Sequence, residues 1–270
     1  MSEFSIVKYG NHALQQISVL AHHDSNTAAQ IPPRWVIYIH GGAWRDPNNN
    51  HKDGHHLIRS LCNSDSKING ASIDYRLSPE VTHPGHIDDV IAALQFLIKT
   101  YNIKDYILVG HSAGAFLAVQ SLIFSDNNGD FVLPPKVLVG VEGIYDLRVT
   151  VEEEASYNSF VSLAFGDNKN EWDLASPASG VYQLVTEKKE SALKDDPKEI
   201  VYKGKVVCVH SSDDELLSLD YQPKNLEKIV NLTEIDRRVS FENYIVSGKH
   251  DEVFGRAELV QIVSKYLCLV

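Results

Sequence analysis

Two rhythms of apolar and polar positions alternate along this chain. Short runs rich in β-branched and aromatic residues fall near Ser5–Tyr9, Gln16–Ala21, Trp35–Ile39, Ala71–Tyr75, Tyr106–Gly110, Val137–Glu142, Lys205–His210 and Val239–Val246, and read as eight strands. Between the later ones lie helical segments around His51–Asn63, His86–Tyr101, Ser112–Phe124, Tyr221–Asn231 and Asp251–Leu267. In the clearest of these, Ile87, Val90, Ile91, Leu94, Leu97 and Ile98 recur at spacings of three and four, which puts one buried stripe on a helix. Strands alternating with helices predict an α/β fold with a mostly parallel sheet covered on both faces. The first two strands have no helix between them and are read as an antiparallel edge.

The rhythm breaks between Leu147 and Val201. There the chain offers short polar, helix-prone pieces, the charged run Glu187–Glu190 and Asp195-Asp196-Pro197. Residues 148–200 are read as a lid or insertion within a single domain spanning 1–270, because an α/β chain of this length commonly buries one core.

The 270 residues carry a formal net charge of -11, which disfavours nucleic acid and anionic membrane as partners. A small neutral or zwitterionic substrate fits, and self-association as a homodimer stays open. The three cysteines, Cys62, Cys208 and Cys268, have no metal-ligand spacing and suit a reducing compartment. The longest uncharged apolar segment, Ala115–Phe124, is far short of a membrane span. These features together predict a cytoplasmic, soluble protein.

Chemistry concentrates in two glycine motifs. Gly110-His111-Ser112-Ala113-Gly114 follows one apolar run and opens a helical one. A serine between glycines on a sharp strand-to-helix corner leaves its hydroxyl projecting as a nucleophile. His40-Gly41-Gly42-Ala43-Trp44 ends an earlier strand, and the backbone N–H groups of Gly41, Gly42 and Ala113 are candidates for an oxyanion hole. Such a serine needs a base and a group to orient that base. After the seventh strand come Asp213, Asp214 and Glu215, and after the eighth comes His250. His250 is the candidate base and Asp214 the preferred acid, with Asp213 and Glu215 open as neighbours of the same chemistry. His111 and His210 are read as packing and backbone-fixing residues. His51, His55 and His56 share a helical stretch but lack a cysteine or carboxylate frame beyond Asp53, so no metal site is assigned. The serine mechanism requires no cofactor.

At these residues the chain resembles the α/β-hydrolase superfamily along nearly its whole length. His40-Gly41-Gly42-Ala43-Trp44, Asp74-Tyr75-Arg76-Leu77-Ser78-Pro79, the Ser112 motif and Gly143-Ile144-Tyr145-Asp146-Leu147 together resemble the fungal kynurenine formamidase (arylformamidase) family. That resemblance implies an eight-stranded α/β-hydrolase fold and a triad of Ser112, Asp214 and His250. It also implies hydrolysis of N-formyl-L-kynurenine to L-kynurenine and formate, in tryptophan breakdown toward NAD. Trp44 and Tyr145 are candidates to line the flat substrate ring. Two rivals are a broad short-acyl carboxylesterase with the same triad and a hydrolase-fold binding protein without turnover.

Overall fold

A computed structural model of the chain describes residues 3–22, 32–124, 132–178, 202, 204–233 and 240–270. Eight strands form one sheet: β1 (Ser5–Lys8), β2 (Gln16–Leu20), β3 (Arg34–Ile39), β4 (Ile68–Ile73), β5 (Tyr106–His111), β6 (Val137–Val141), β7 (Lys205–Ser211) and β8 (Ser240–Val246). Their order across it is β1-β2-β4-β3-β5-β6-β7-β8. β1 and β2 pair antiparallel, as does β2 with β4, and every later pairing is parallel. The antiparallel edge and parallel body match the expectation from the sequence.

Parallel strands with both faces covered need apolar residues at consecutive positions, and β4, β5 and β6 are buried at every residue. Alternate side chains then feed two cores. Trp35, Ile37 and Ile39 of β3 with Tyr106 and Leu108 of β5 point into one core, while Val36, Tyr38, Ile107 and Val109 point into the other. Helices α2 (Gly85–Tyr101) and α3 (Ala113–Gln120) cover the first face, with α7 (Gln222–Thr233). The second face is covered by α1 (His55–Ser64) and α8 (Ala257–Ser264). The predicted stripe on α2 is buried at Ile87, Val90, Ile91, Leu94 and Leu97, and the helix stops at Asn102, whose φ of 52° is left-handed.

Boundaries differ from the sequence reading by one to a few residues, most at four places. β4 starts at Ile68 rather than Ala71, because Gly70 lies inside the strand where α1 presses against it. A Cβ at Gly70 would come within 3.0 Å of Ile58 Cγ1. α1 starts at His55 after a run of turns, and α3 gives way to turns after Gln120. The terminal helical segment divides into a short 3₁₀ turn, Val253–Gly255, and α8.

In the segment expected to be a lid, residues 147–175 form α4 (Leu147–Glu153), a 3₁₀ turn, α5 (Asn158–Phe165) and α6 (Lys169–Ala175). Phe160, Val161, Ala164, Phe165 and Trp172 are buried in the first core. The remainder of the expected lid, 179–200, lies outside the described residues.

Candidate active site

The parallel register brings the C-terminal ends of β5, β6, β7 and β8 level with one another. His111 pairs with Val141, Val141 stands opposite Val209, and Ser211 stands opposite Val246. The residues just beyond each strand therefore meet along one edge of the sheet.

Ser112 lies on the corner between β5 and α3 with φ 51° and ψ -119°. This conformation is strained for a residue with a side chain, on the order of 1–3 kcal/mol, and persists only where the surroundings enforce it. They do so through sterics and hydrogen bonds. A Cβ at Gly110 would lie 2.6 Å from Ala115 Cα, and one at Gly114 would lie 2.7 Å from the carbonyl carbon of Ile39. The Ser112 N–H donates to Val141 O at 2.9 Å, and its carbonyl accepts from Ala115 N at 3.0 Å. Ala113, the first residue of α3, presents one of the N-terminal amides that have no intrahelical acceptor.

The loop after β3 approaches the same corner. A Cβ at Gly41 would meet His111 Nδ1 at 2.8 Å and Ser112 Cβ at 2.9 Å, so only glycine lets this backbone come so close. Gly42, Ala43 and Trp44 all have positive φ (91°, 49° and 59°), and the turn is closed by Arg45 N–H and Asp46 N–H donating to Gly42 O at 2.9 Å each. Tyr75, buried and stacked on His40 at 4.4 Å, donates its hydroxyl to His40 O and Gly41 O, both at 3.1 Å. In a trans peptide the C=O and the following N–H point opposite ways. Holding the carbonyls of residues 40 and 41 thus fixes the direction of the Gly41 and Gly42 amides. His40 faces Asp74 at 3.6 Å, and Asp74 also accepts from the His51 N–H at 2.5 Å. The Asp74-Tyr75 pair therefore supports the glycine loop, a role its sequence alone did not reveal.

Among the three acidic neighbours, Asp214 is the one that reaches the imidazole of the candidate base: its Oδ2 is 2.9 Å from His250 Nδ1. Its Oδ1 accepts from the N–H groups of Leu216 and Leu217 at 2.8 and 2.9 Å. Burial alone would raise this carboxyl, but the hydrogen bond from His250, with the neighbouring Glu142, outweighs it and holds Asp214 well below the usual carboxylate range. Asp213 instead accepts from Gly248 N–H at 3.2 Å, and Glu215 from His250 N–H at 3.1 Å. All three acids thus position the β8 loop, and one reaches the imidazole.

His250 stands beside the elbow. Its ring lies 4.9 Å from that of His111, whose Nε2 donates to His250 O at 3.1 Å. Burial, then the neighbouring His250, push His111 down to about 3, so it is neutral and structural. No hydrogen bond joins Ser112 Oγ to His250 in this arrangement. His210 Nε2 donates to Leu217 O at 3.1 Å, bracing the acid loop as the sequence suggested. His51 and His55 face Asp74 and Ser18 respectively.

Two triplets among the described residues bring potential metal-ligating atoms within 4.8 Å of one another: His111, His250 and Asp251, and Glu142, Asp214 and His250. Both include His250, so a cation in either would compete with its pairing to Asp214. The expected ring-lining residues are placed otherwise. Trp44 is 0% exposed, edge-on to Phe116 at 5.2 Å and to Phe165 at 4.9 Å. Tyr145 is also 0% exposed, packed beneath Gly140 and Gly143. Both are core side chains with no face open to a ligand, Trp44 being enclosed by Phe116 of α3 and by Phe160 and Phe165 of α5. Closer to the surface are Arg45, over the Phe160 ring at 5.7 Å, and Tyr157, whose hydroxyl donates to Leu216 O at 2.8 Å.

A model of the α/β hydrolase fold family matches residues 36–202. A kynurenine formamidase of Meyerozyma guilliermondii is 34% identical over 98% of this chain and 93% of its own. The chain belongs to the kynurenine formamidase family of α/β-hydrolases. A kynurenine formamidase of Scheffersomyces stipitis is 32% identical over 94% of this chain and 95% of its own. Among solved structures, esterase B of Lactobacillus rhamnosis superposes with a TM-score of 0.70 at 17% identity, covering 99% of this chain and 84% of that one, which is a likeness of fold.

In this family member the α/β-hydrolase match takes in the glycine loop and the elbow but ends before Asp214 and His250. Those two are joined to the corner through the hydrogen bond from His111 to His250 O and the pairing of Asp214 with the imidazole. Sequence reasoning missed one further residue of the cluster. Glu142, directly after β6, is fully buried with φ 46°, and its Oε1 accepts from Ser211 N–H at 2.9 Å. The signal for it was a carboxylate closing an apolar parallel strand at the edge where the other site residues lie.

Proposed function

We propose that the protein is a serine hydrolase that cleaves the formamide of N-formyl-L-kynurenine, releasing L-kynurenine and formate. The observation that carries the catalytic part is the Asp214–His250 pair at 2.9 Å beside an elbow whose Ser112 Cβ is approached by the Gly41 backbone. The substrate rests on the names of relatives that align over nearly the full chain.

In this reading His250 takes the Ser112 proton as Oγ attacks the formyl carbon, and Asp214 balances the imidazolium that results. Catalytic hydrogen bonds in unliganded sites are often long and tighten with substrate, which suits the unbonded Ser112 hydroxyl. Negative charge forming on the formyl oxygen faces the amides of Gly41, Gly42 and Ala113, each such donor contributing on the order of 3 kcal/mol in the transition state. His250 then returns the proton to the aromatic amine, kynurenine leaves, and water attacks the formyl ester by the same route to release formate. No cofactor enters any step. Trp44 and Tyr145 are left out of the pocket, and the α5 end with Tyr157, Phe160 and Arg45 takes that place.

Comparing kcat/KM for N-formyl-L-kynurenine and p-nitrophenyl acetate tests the substrate. A preference for the formamide is expected, and a strong preference for the ester assigns a carboxylesterase instead. Ser112→Ala is expected to lower kcat by roughly 10⁴-fold or more. Persistent hydrolysis by that variant would move the nucleophile elsewhere. A wild type that binds kynurenine derivatives without turnover would make this a binding protein.

A further inference from the structure

Beneath the Asp214–His250 pair lies a second carboxyl that the hydrolytic steps do not use. Glu142 is 0% exposed and held by a left-handed backbone turn, with its Oε1 receiving the Ser211 N–H at 2.9 Å. Its Oε2 is buried and receives no hydrogen bond. Yet a carboxylate oxygen of Glu142 and one of Asp214 lie within 4.8 Å of one another and of a His250 ring nitrogen. His210 Nε2 lies 3.3 Å from Oε2 and 3.4 Å from Asp214 Oδ2 but gives its proton to Leu217 O at 3.1 Å, and burial lowers its pKa so that it is neutral. Two carboxylates cannot both be ionised in so small a dry space, so one of them keeps a proton. An oxygen that finds no donor is the one that donates.

We infer that Glu142 is a positioning residue of the hydrolytic site: a neutral carboxylic acid that accepts from Ser211 with one oxygen and donates to Asp214 with the other. This inference rests on the reading of Ser112, His250 and Asp214 as the triad. The donated hydrogen bond draws charge from Asp214 and limits how strongly that carboxylate attracts the imidazolium of His250. It also fixes the Asp214 oxygens from below while Leu216 and Leu217 fix them from the side. Around Glu142 the groups that face it are Cys208 and His210 of β7, Asp214 and Glu215 of the loop after β7, His250 after β8, and Tyr145 after β6. Burial first, and the hydrogen bond and charge of Asp214 next, push Glu142 up to about 10.

Glutamine reproduces the neutral acid, with an oxygen to accept from Ser211 and an N–H to give to Asp214. Alanine removes both. The test measures kcat/KM against pH for wild type, Glu142→Gln and Glu142→Ala, with the formamide and with p-nitrophenyl acetate. Glu142→Ala is expected to lose about 10-fold or more in kcat and to move the acid limb upward by about 0.5–1 pH unit, since an unrelieved Asp214 favours the protonated imidazole. Glu142→Gln should restore the acid limb and most of the loss. Equal losses in both variants with the limb unmoved would overturn the proposal and leave Glu142 a packing residue. A wild type active on the ester alone discards the formamide, and the comparison then runs on the ester. A wild type inert toward both discards the triad reading and this proposal with it.

Should Glu142→Ala fail to fold, two readouts need only wild type and Glu142→Gln. The infrared band of a protonated carboxylic acid should be present in the wild type at pH 7 and absent from the glutamine variant. A group whose folded-state value lies above its unfolded 4.5 gives stability that is full below pH 4.5 and is lost as pH rises toward about 10. The stability advantage of Glu142→Gln should therefore grow with pH across that window. An unchanged infrared spectrum, or an advantage independent of pH, would overturn the proposal.

Discussion

Individual side chains at the site are placed by backbone constraints that other side chains enforce. Tyr75 illustrates this, since one hydroxyl holds two carbonyls and so fixes the direction of the two amides proposed for the oxyanion hole. Tyr75→Phe keeps the ring stacked on His40 and removes only the hydroxyl. We expect kcat to fall by about 10- to 100-fold with KM little changed, because the amides serve the transition state more than the bound substrate. Steady-state kinetics beside a circular dichroism spectrum would check it, and a loss confined to KM would contradict it. At this scale the sequence was legible where a residue's role follows from its own type and spacing. Ser112, His250 and the three acids after β7 could be named, because an elbow and a strand order narrow the search. The sequence favours Asp214 among the three acids and it is the one at the imidazole, but Asp213 and Glu215 stay open there because consecutive residues of one charge differ only in where a turn points them. Glu142 and Tyr75 were missed because each acts through a neighbour distant in the chain.

Elements were readable wherever burial imposed a period. The continuous apolar runs of the parallel strands and the three-and-four stripe of α2 each follow from what the element packs against. Reading was incomplete where a local signal carried a tertiary meaning. Asn69 and Gly70 fall outside the strand read from Ala71 but belong to β4, with glycine making room for Ile58 of α1. The segment from Leu147 looked like an insertion because its helices are short, yet their apolar residues bury into the main core. Phe165 packs on Trp44, Phe116 and His83, at centroid distances of 4.9, 5.5 and 5.3 Å. Phe165→Ala is accordingly expected to cost about 3–5 kcal/mol of stability. Denaturant titration should show a lower midpoint with an unchanged slope, and a cost below about 1 kcal/mol would mean that α5 is not part of the core.

Across the whole molecule, the site is a property of the sheet rather than of any one loop. Ser112, Glu142, Asp214 and His250 follow β5, β6, β7 and β8, four neighbours in the sheet. The last two of these, β7 and β8, are tied by Lys205 of β7, which pairs with Glu242 of β8, while Tyr266 beyond α8 donates to the same carboxylate at 2.5 Å. Those partners, Lys205 first, hold Glu242 down to about 2. A carboxyl depressed in the folded state gives stability that is present above its unfolded value of 4.5 and is lost as pH falls toward about 2. Glu242→Gln should therefore unfold more easily than wild type at pH 7 and no more easily at pH 2. The pair is partly exposed, so the difference should not exceed about 1 kcal/mol. Melting curves across that range would check it. No helix among the described residues is long and apolar enough to cross a membrane.

The dependence of the base on β8 has a kinetic corollary. The elbow and the His250 imidazole are separated by well over a hundred positions, and closure of such distant contacts is slow compared with local helix formation. A refolding chain should regain its helical signal before it regains turnover, so the return of hydrolysis would time the docking of the last strand.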